Sequence, residues 1–342
     1  MNSSTFLEMP KIDLHHHLDG AFRASSLYQE AVRRNLPQAK LSYNEFQAKC
    51  RVRPNCRSLT EFLDVFNFYY DIGSNIPFLK HAAQDAVEDF KNDGVLYAET
   101  RFAPHLFGIG DEVREAVNAV LEGLENGRAK GGPKVNLILC MMRGHSAKFI
   151  TELIDLALEF KNRGVVAIDL AGDESRYSGD EYSMSFGEVQ SAGIPVTIHA
   201  GEAAGAESVW RALKNFHAVR IGHGIRSRED LALVKYLIEH GIFLEICVTS
   251  NLQTGTVESI ESHPLKEYLA QGVKVTLNTD DPSVSDITLS GEWETVAEKL
   301  NLGAKEILQI LLNSADAAFI SEQEKQNLRQ TIRQFSLFTN EL

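Results

Sequence analysis

The sequence is poor in cysteine, and the four that it has are irregularly spaced: Cys50, Cys56, Cys140 and Cys247. Four cysteines in this arrangement do not form the disulfide framework of a small secreted domain. Cys140 and Cys247 lie within apolar runs, where cysteine packs as a small hydrophobic residue. The first residues, MNSSTFLEMPKIDL, lack a cationic segment followed by an apolar one, so we expect no secretory signal. These features predict a cytoplasmic protein.

Positive charge is also scarce, with 34 Lys and Arg against 47 Asp and Glu and a formal net charge of -13. Nucleic acids and anionic membranes bind basic surfaces, so we expect neither as a partner. No stretch of about 18 apolar residues is present, which excludes an ordinary transmembrane helix. The composition favours a small neutral or cationic ligand, and it does not indicate an oligomeric state.

Eight short apolar runs alternate with segments of helical periodicity. They begin with KIDLHHHLDG and continue at residues 95–104, 135–143, 165–174, 194–202, 218–224, 242–251 and 273–282. This alternation predicts an α/β protein with a closed parallel (β/α)₈ TIM barrel. A long helical insertion, about residues 25–93, follows the first strand, and extra helices follow the last. We find no linker or internal repeat, so we predict a single domain over residues 1–342.

A doubly wound open sheet is the alternative architecture, because strands that alternate with helices suit both. Two observations weigh against it. No G-x-G-x-x-G follows the first strand, and the unusual polar residues lie at the ends of many strands rather than at one crevice.

The first strand, within KIDLHHHLDG, carries potential metal ligands. If side chains alternate between its faces, Asp13, His15, His17 and Asp19 share one face, while His16 lies on the other with Ile12, Leu14 and Leu18. From these residues alone, a strand with a solvated polar face is as good an interpretation as a metal site.

Polar side chains recur where the later strands end, and in such a barrel these ends surround one cavity. They are His15, His17, His199, Glu202, His223, Asp280 and Asp281. Three imidazoles and a carboxylate suit zinc, so we predict that His15, His17, His199 and Asp280 bind one ion per chain and that His16 does not. Zinc lowers the pKa of bound water to about 7, which indicates metal-assisted hydrolysis.

A hydrolytic site also needs a proton carrier and a group that orients water. Glu202, three residues after His199, is our candidate for the general acid and base; the alternative is a surface carboxylate near a helix N-terminus. His223 is predicted to hydrogen-bond the hydroxide, and Asp281 to face the substrate. In SLTEFLDVFNFYY, one helical face carries Leu59, Phe62, Leu63 and Phe66. This pattern alone favours core packing over a lid.

Eight motifs span nearly the whole chain, in the order MPKIDLHHHLDGA, SLTEFL, YAETRFAPHLF, VVAIDLAGDE, TIHAGE, RIGHG, SNLQTG and LNTDDPSV. In this order they resemble the motifs of the adenosine deaminases of the amidohydrolase superfamily. H-x-H alone is a weak signal. H-x-H, HAGE, GHG and TDDP in this order and spacing are specific.

The resemblance implies hydrolysis of adenosine, and of 2′-deoxyadenosine, to inosine and ammonia in purine nucleoside metabolism, by a zinc-bound hydroxide that attacks purine C6. It implies that Glu202 protonates N1, that His223 orients the hydroxide and that Asp281 hydrogen-bonds N7. The backbone of Gly172 would contact N3, and Asp19 a ribose hydroxyl. It further implies that the substrate is also contacted by His17 and covered by the helix of Leu59, Phe62, Leu63 and Phe66.

Two alternatives to the deamination of adenosine remain open. A related deaminase acts on adenine or on a modified adenine nucleoside or nucleotide; Asp19 favours a nucleoside, since adenine-acting relatives tend to have Glu there. Against a nucleotide, no Lys/Arg-rich loop that would hold a phosphate follows a strand, and Arg23, Arg101 and Arg143 are the arginines left open for that role. A catalytically inactive nucleoside-binding or protein-binding member would have lost a ligand or the proton carrier, and none is missing here. The other zinc deaminase pattern, H-x-E with P-C-x-x-C, is absent.

Overall fold

The computed structural model describes residues 3–108 and 110–338. Eight parallel strands form one sheet in chain order. They are β1 (Lys11–His17), β2 (Val95–Phe102), β3 (Lys134–Met142), β4 (Val165–Ala171), β5 (Val196–Ala200), β6 (Arg220–His223), β7 (Phe243–Ile246) and β8 (Lys274–Leu277). The predicted (β/α)₈ barrel is confirmed.

The barrel closes between β1 and the residues that follow β8. The backbone N–H of His17 donates to the carbonyl of Asp280 at 2.7 Å, and the N–H of Asp280 donates to the carbonyl of His15 at 2.8 Å. The closing hydrogen bonds thus involve three of the four predicted metal ligands, so the same contacts complete the barrel and bring these side chains together.

Seventeen α-helices in the described residues surround and cap the strands. They are α1 (Ser3–Glu8), α2 (Ala24–Arg33), α3 (Tyr43–Lys49), α4 (Leu59–Asp64), α5 (Tyr70–Gly73), α6 (Ile76–Asn92), α7 (Asp111–Ala129), α8 (Lys148–Phe160), α9 (Ser183–Ser191), α10 (Ala206–Lys214), α11 (Leu231–His240), α12 (Val248–Gln253), α13 (Leu265–Gln271), α14 (Pro282–Ser285), α15 (Leu289–Lys299), α16 (Ala304–Ala317) and α17 (Glu322–Arg333). The insertion predicted after the first strand is α2 to α6, and the predicted C-terminal helices are α15 to α17. No helix among the described residues is long and apolar enough to cross a bilayer.

Several strands are shorter than the apolar runs that predicted them. The run at residues 242–251 is strand only as far as Ile246, and Val248 to Gln253 is the helix α12. An apolar run does not distinguish a buried strand from the short helix that follows it. Here the chain turns at Cys247, so Ser250 and Asn251 lie over the barrel end instead of continuing along it.

The simple alternation predicted for β1 is wrong between Asp13 and His16, because the pairing with β2 shifts register there. Asp13 and His16 both line a cavity outside the barrel. The Asp13 carboxylate accepts a hydrogen bond from the Thr279 hydroxyl at 2.6 Å, which ties β1 to the segment after β8. His16 packs on Phe90, and its Nδ1 lies 2.9 Å from the Thr100 hydroxyl.

Candidate active site

Four side chains with suitable donor atoms converge at the C-terminal end of the barrel. Nε2 of His17 lies 3.1 Å from Nε2 of His199 and 3.4 Å from Oδ1 of Asp280, and Nε2 of His15 lies 3.3 Å from the same oxygen. Ligands bonded tetrahedrally to one zinc ion at about 2.1 Å lie about 3.4 Å apart. Nε2 of the fully buried His15 makes no hydrogen bond, as expected of a nitrogen that faces a cation. The donor set therefore fits zinc.

A second combination is also compatible with a metal ion. The donor atoms of His15, His199, His223 and Asp280 lie within 4.8 Å of one another. Nε2 of His223 is 3.9 Å from Oδ2 of Asp280 and 3.6 Å from Oε2 of Glu202. The two sets share three residues and differ only in whether His17 or His223 is the fourth. The shorter distances favour His17.

Buried charges inside the barrel orient two of these histidines. Nδ1 of His15 lies 2.8 Å from Glu245, and Nδ1 of His199 lies 3.0 Å from Asp169. The Arg101 guanidinium donates to both carboxylates, at 2.9 Å each. Sequence reasoning missed these roles, although charged residues inside the apolar runs YAETRF, VVAIDLAG and IFLEIC were a signal. Such partners hold imidazole rings in position for a metal.

Glu202 lies on a loop that is held by another carboxylate. Glu174 accepts hydrogen bonds from the backbone N–H groups of Glu202, Ala203 and Ala204 at 2.9 to 3.0 Å. Burial, with the nearby charges of Asp280 and Glu174, raises the pKa of Glu202 to about 8. This shift favours the protonated Glu202 carboxyl, the state in which it can donate a proton.

A cavity above these side chains contains every predicted site residue except His15, which is buried beneath it. The predicted residues that line it are His17, Asp19, Leu59, Phe62, Leu63, Gly172, His199, Glu202, His223, Asp280 and Asp281. Phe66 lines it as well, so the apolar face of α4 and the turn after it both pack into the structure and cover the cavity. Tyr70, Met142 and Thr254 also line it, and their sequence context carried no signal that found them.

Two carboxyl groups face the cavity without a partner on one oxygen. Oδ1 of Asp19 and Oδ1 of Asp281 are buried and make no hydrogen bond. Burial raises the pKa of Asp19 to about 6, and burial together with the charge of Asp280 raises that of Asp281 well above its ordinary value. Gly20 makes room for Asp281, since a Cβ there would lie 1.7 Å from Oδ1.

The three arginines considered as phosphate ligands have other partners. Arg23 pairs with Asp85 and Asp89, and Arg143 donates to the carbonyl of His199 at 2.8 Å. Arg101 is fully buried within the barrel. Among the described residues that line the cavity there is no lysine or arginine.

Comparison with known proteins identifies the family. A family model described as adenosine deaminase matches residues 10–335. The chain belongs to the adenosine deaminase family. It is therefore a hydrolase that acts on C–N bonds. An adenosine deaminase of Aliivibrio fischeri is 39% identical over 324 residues, covering 94% of this chain and 97% of the relative.

Solved structures of other deaminases have the same fold. An adenine deaminase from Arthrobacter aurescens superposes with a TM-score of 0.87 at 25% identity, covering 96% of this chain and 99% of that one. An Arabidopsis N6-mAMP deaminase gives a TM-score of 0.84 at 27% identity, with coverage of 96% and 99%. Deaminases of similar fold are thus named for different adenine compounds.

Proposed function

We propose that this family member hydrolyses adenosine and 2′-deoxyadenosine to inosine and ammonia in purine nucleoside metabolism. The observation that carries the proposal is the one cavity that is lined by Glu202, His223 and Asp281 together with three of the four candidate ligands, with His15 buried beneath it. The identity of 39% with a relative named adenosine deaminase supports it. We also propose that the chain acts as one domain in the cytoplasm, which its four buried, unpaired cysteines suit.

His15, His17, His199 and Asp280 would hold one zinc ion per chain. When bound, zinc supplies hydroxide at neutral pH by lowering the pKa of water to about 7. The remaining chemistry belongs to the side chains that line the cavity. Ammonia is a poor leaving group from an aromatic ring, so the ring must be protonated and the developing charge stabilised.

The protonation states of the acidic side chains suit a purine. Purine N1 and N7 are hydrogen-bond acceptors, and only a protonated carboxyl can donate to them. Burial, together with the charge of Asp280, raises the pKa of both Glu202 and Asp281, which favours that state. In the proposed complex Glu202 donates its proton to N1 and Asp281 donates to N7. His223 stabilises the oxygen that adds to C6, and the backbone of Gly172 contacts N3.

The same cavity favours a nucleoside over a nucleotide. A 5′-phosphate needs a cation or several backbone donors, and the described lining residues provide carboxylates instead of cations. Asp19, with its free buried oxygen, is placed to accept a ribose hydroxyl. The alternative substrates are adenine and modified adenine compounds, because relatives of the same fold are named for them.

A substrate panel tests the proposal. Protein of measured zinc content is given adenosine, 2′-deoxyadenosine, adenine and N6-methyl-AMP, and kcat/KM is obtained from the fall in adenine absorbance and from release of ammonia, or of methylamine from N6-methyl-AMP. We expect adenosine to give the highest value. No turnover of adenosine by zinc-loaded protein would refute the proposal, and a higher value of kcat/KM for another compound would favour the alternative.

A variant tests the proton carrier. Glu202→Gln should abolish kcat but retain zinc. Near full activity of this variant would contradict the role of Glu202 as proton carrier.

A further inference from the structure

A chain of hydrogen bonds runs behind His223, away from the cavity. The backbone N of Leu265 lies 3.1 Å from Nδ1 of His263, and Nε2 of His263 lies 3.2 Å from Oδ1 of Asn251. Nδ2 of Asn251 lies 3.0 Å from Nδ1 of His223. Asn251 is on α12, and Leu265 begins α13. The side chains of His223, Asn251 and His263 are all buried.

The direction of every bond in this chain follows from its first donor. A backbone N–H can only donate, so Nδ1 of His263 must accept from Leu265 and carries no proton. A neutral imidazole then has its proton on Nε2, which donates to Oδ1 of Asn251. Burial lowers the pKa of His263 to about 3, which keeps the ring neutral. The amide is thereby oriented with its NH₂ group toward His223, whose Nδ1 must accept.

We propose that Asn251 and His263 are positioning residues that hold His223 in the tautomer with its proton on Nε2. The proton then points into the cavity, where Nε2 lies 3.6 Å from Glu202 and 3.9 Å from Asp280. His223 is thus a hydrogen-bond donor to the reacting oxygen, a step that rests on the proposed function.

The same tautomer decides between the two ligand sets. A histidine binds a metal through a nitrogen with a free lone pair. In His223 the only such nitrogen is Nδ1, and Asn251 occupies it. Nε2 carries the proton and cannot ligate. His17 is therefore the third histidine ligand, and His223 stays outside the coordination shell although its ring is 4.8 Å from that of His15.

Nitrogen NMR of the resting protein tests the tautomer without a substrate. Zinc-loaded protein labelled with ¹⁵N in histidine is compared with a His223→Asn variant, which assigns the His223 signals. We expect a protonated, pyrrole-type Nε2 and an unprotonated Nδ1 that shows no zinc contact. A protonated Nδ1, or zinc bound to His223, overturns the proposal. This result does not depend on turnover, so failure of the proposed function is a separate outcome.

Substitutions then separate positioning from simple support of the fold. In Asn251→Asp a carboxylate that can only accept replaces the donor, so the proton of His223 should move to Nδ1. We expect kcat to fall about 10²- to 10³-fold, as for the loss of one oxyanion donor, with little change in KM and in zinc content. The matched control is Asn313→Asp, which alters a buried amide on α16 that donates to the Val275 carbonyl of β8. It should leave the His223 signals and kcat unchanged. Equal losses of kcat in both variants would overturn the positioning role.

His263 provides a second, independent variant pair. In His263→Gln an amide N–H can still donate to Asn251, whereas His263→Leu removes the donor. We expect the glutamine variant to keep most of the wild-type kcat and the leucine variant to lose it. If the two variants fold equally well and show the same kcat, His263 does not position His223 through Asn251.

Discussion

The carboxylate of Glu174 accepts a hydrogen bond from the backbone N–H of Glu202 at 3.0 Å. It also accepts from the N–H groups of Gly201, Ala203 and Ala204, and from the Ser208 hydroxyl. One buried carboxylate, three residues after the end of β4, thus holds the loop after β5 in its conformation. The position of the proposed proton carrier depends on it.

Glu174→Ala should impair both stability and turnover. Five buried or half-buried donors would lose their acceptor, and each buried unsatisfied group costs about 1–3 kcal/mol, part of which water entering the gap would offset. We expect the free energy of unfolding to fall by about 3 kcal/mol and kcat to fall with it because Glu202 moves. Urea denaturation and steady-state kinetics measure the two effects. Glu188→Ala, at an exposed site on α9, is the control and should change neither.

The sequence was sufficient to predict the barrel and the residues that its strand ends bring together. Strand ends in a parallel barrel meet at one face, so His15, His199, His223 and Asp280 had to converge once eight strands were recognised. The HAGE and TDDP motifs supplied Glu202 and Asp281 in the same way. Their convergence is a property of topology, and it needs no knowledge of loop conformation.

The supporting residues could not be predicted because their roles depend on loop conformation and on packing. Glu174 is 28 residues from Glu202, and the contact exists only because two loops turn toward each other. His263 reaches Asn251 across the turn between α12 and α13. The register shift in β1, after which Asp13 lies on the outer side of the barrel, likewise cannot be predicted from a pattern of alternating residues.

Zinc content should distinguish His17 from His223. We expect His17→Ala to lose most of the bound zinc, because it removes one of four ligands, whereas His223→Ala should retain zinc and lose turnover. Metal analysis after dialysis against a weak chelator gives the stoichiometry. If His223→Ala lost zinc and His17→Ala kept it, the ligand set with His223 would be correct.

Arg101→Met should destabilise the barrel interior. The substitution leaves Asp169 and Glu245 buried without the cation that joins them, and breaking a buried ion pair in this way costs about 3–5 kcal/mol. Zinc affinity should fall as well, because these carboxylates orient His199 and His15. Denaturant unfolding and metal analysis measure the effects, and Arg114→Met, which breaks an exposed pair with Glu159, should show neither.

The buried Glu292 on α15 should make stability fall as pH rises. Burial raises the pKa of its carboxyl to about 7, above the ordinary value of 4.5. Between these values the folded protein binds more protons than the unfolded chain, so stability is lost as pH rises from 4.5 toward 7. Glutamine mimics the protonated form and can keep both contacts with Thr249. We expect Glu292→Gln to be more stable than wild type by about 3 kcal/mol at pH 8 and equal to it near pH 4.

Unfolding curves at a series of pH values measure this difference. Glu298→Gln, at an exposed site on the same helix, removes the same charge without relieving burial. Its difference in unfolding free energy from wild type should therefore not depend on pH. A wild-type stability that did not decrease between pH 5 and pH 7 relative to Glu292→Gln would show that the carboxyl is ionised at little cost.

Tyr70 should affect how tightly the site binds the ribose of a nucleoside. Its hydroxyl donates to Oδ2 of Asp19 at 3.3 Å, which leaves Oδ1 of Asp19 as the free oxygen in the cavity. Without this hydrogen bond Asp19 loses a fixed orientation, at a cost of about 1 kcal/mol, or about fivefold in affinity. We expect Tyr70→Phe to raise KM for adenosine by that factor and to leave kcat and the inhibition constant of free adenine unchanged.

Tyr69→Phe is the matched control, because the Tyr69 hydroxyl donates to the backbone carbonyl of Asp19 and not to its carboxylate. An equal weakening of adenosine and adenine in Tyr70→Phe would mean that Tyr70 shapes the base pocket, and the assignment of Asp19 to the sugar would then lose its support.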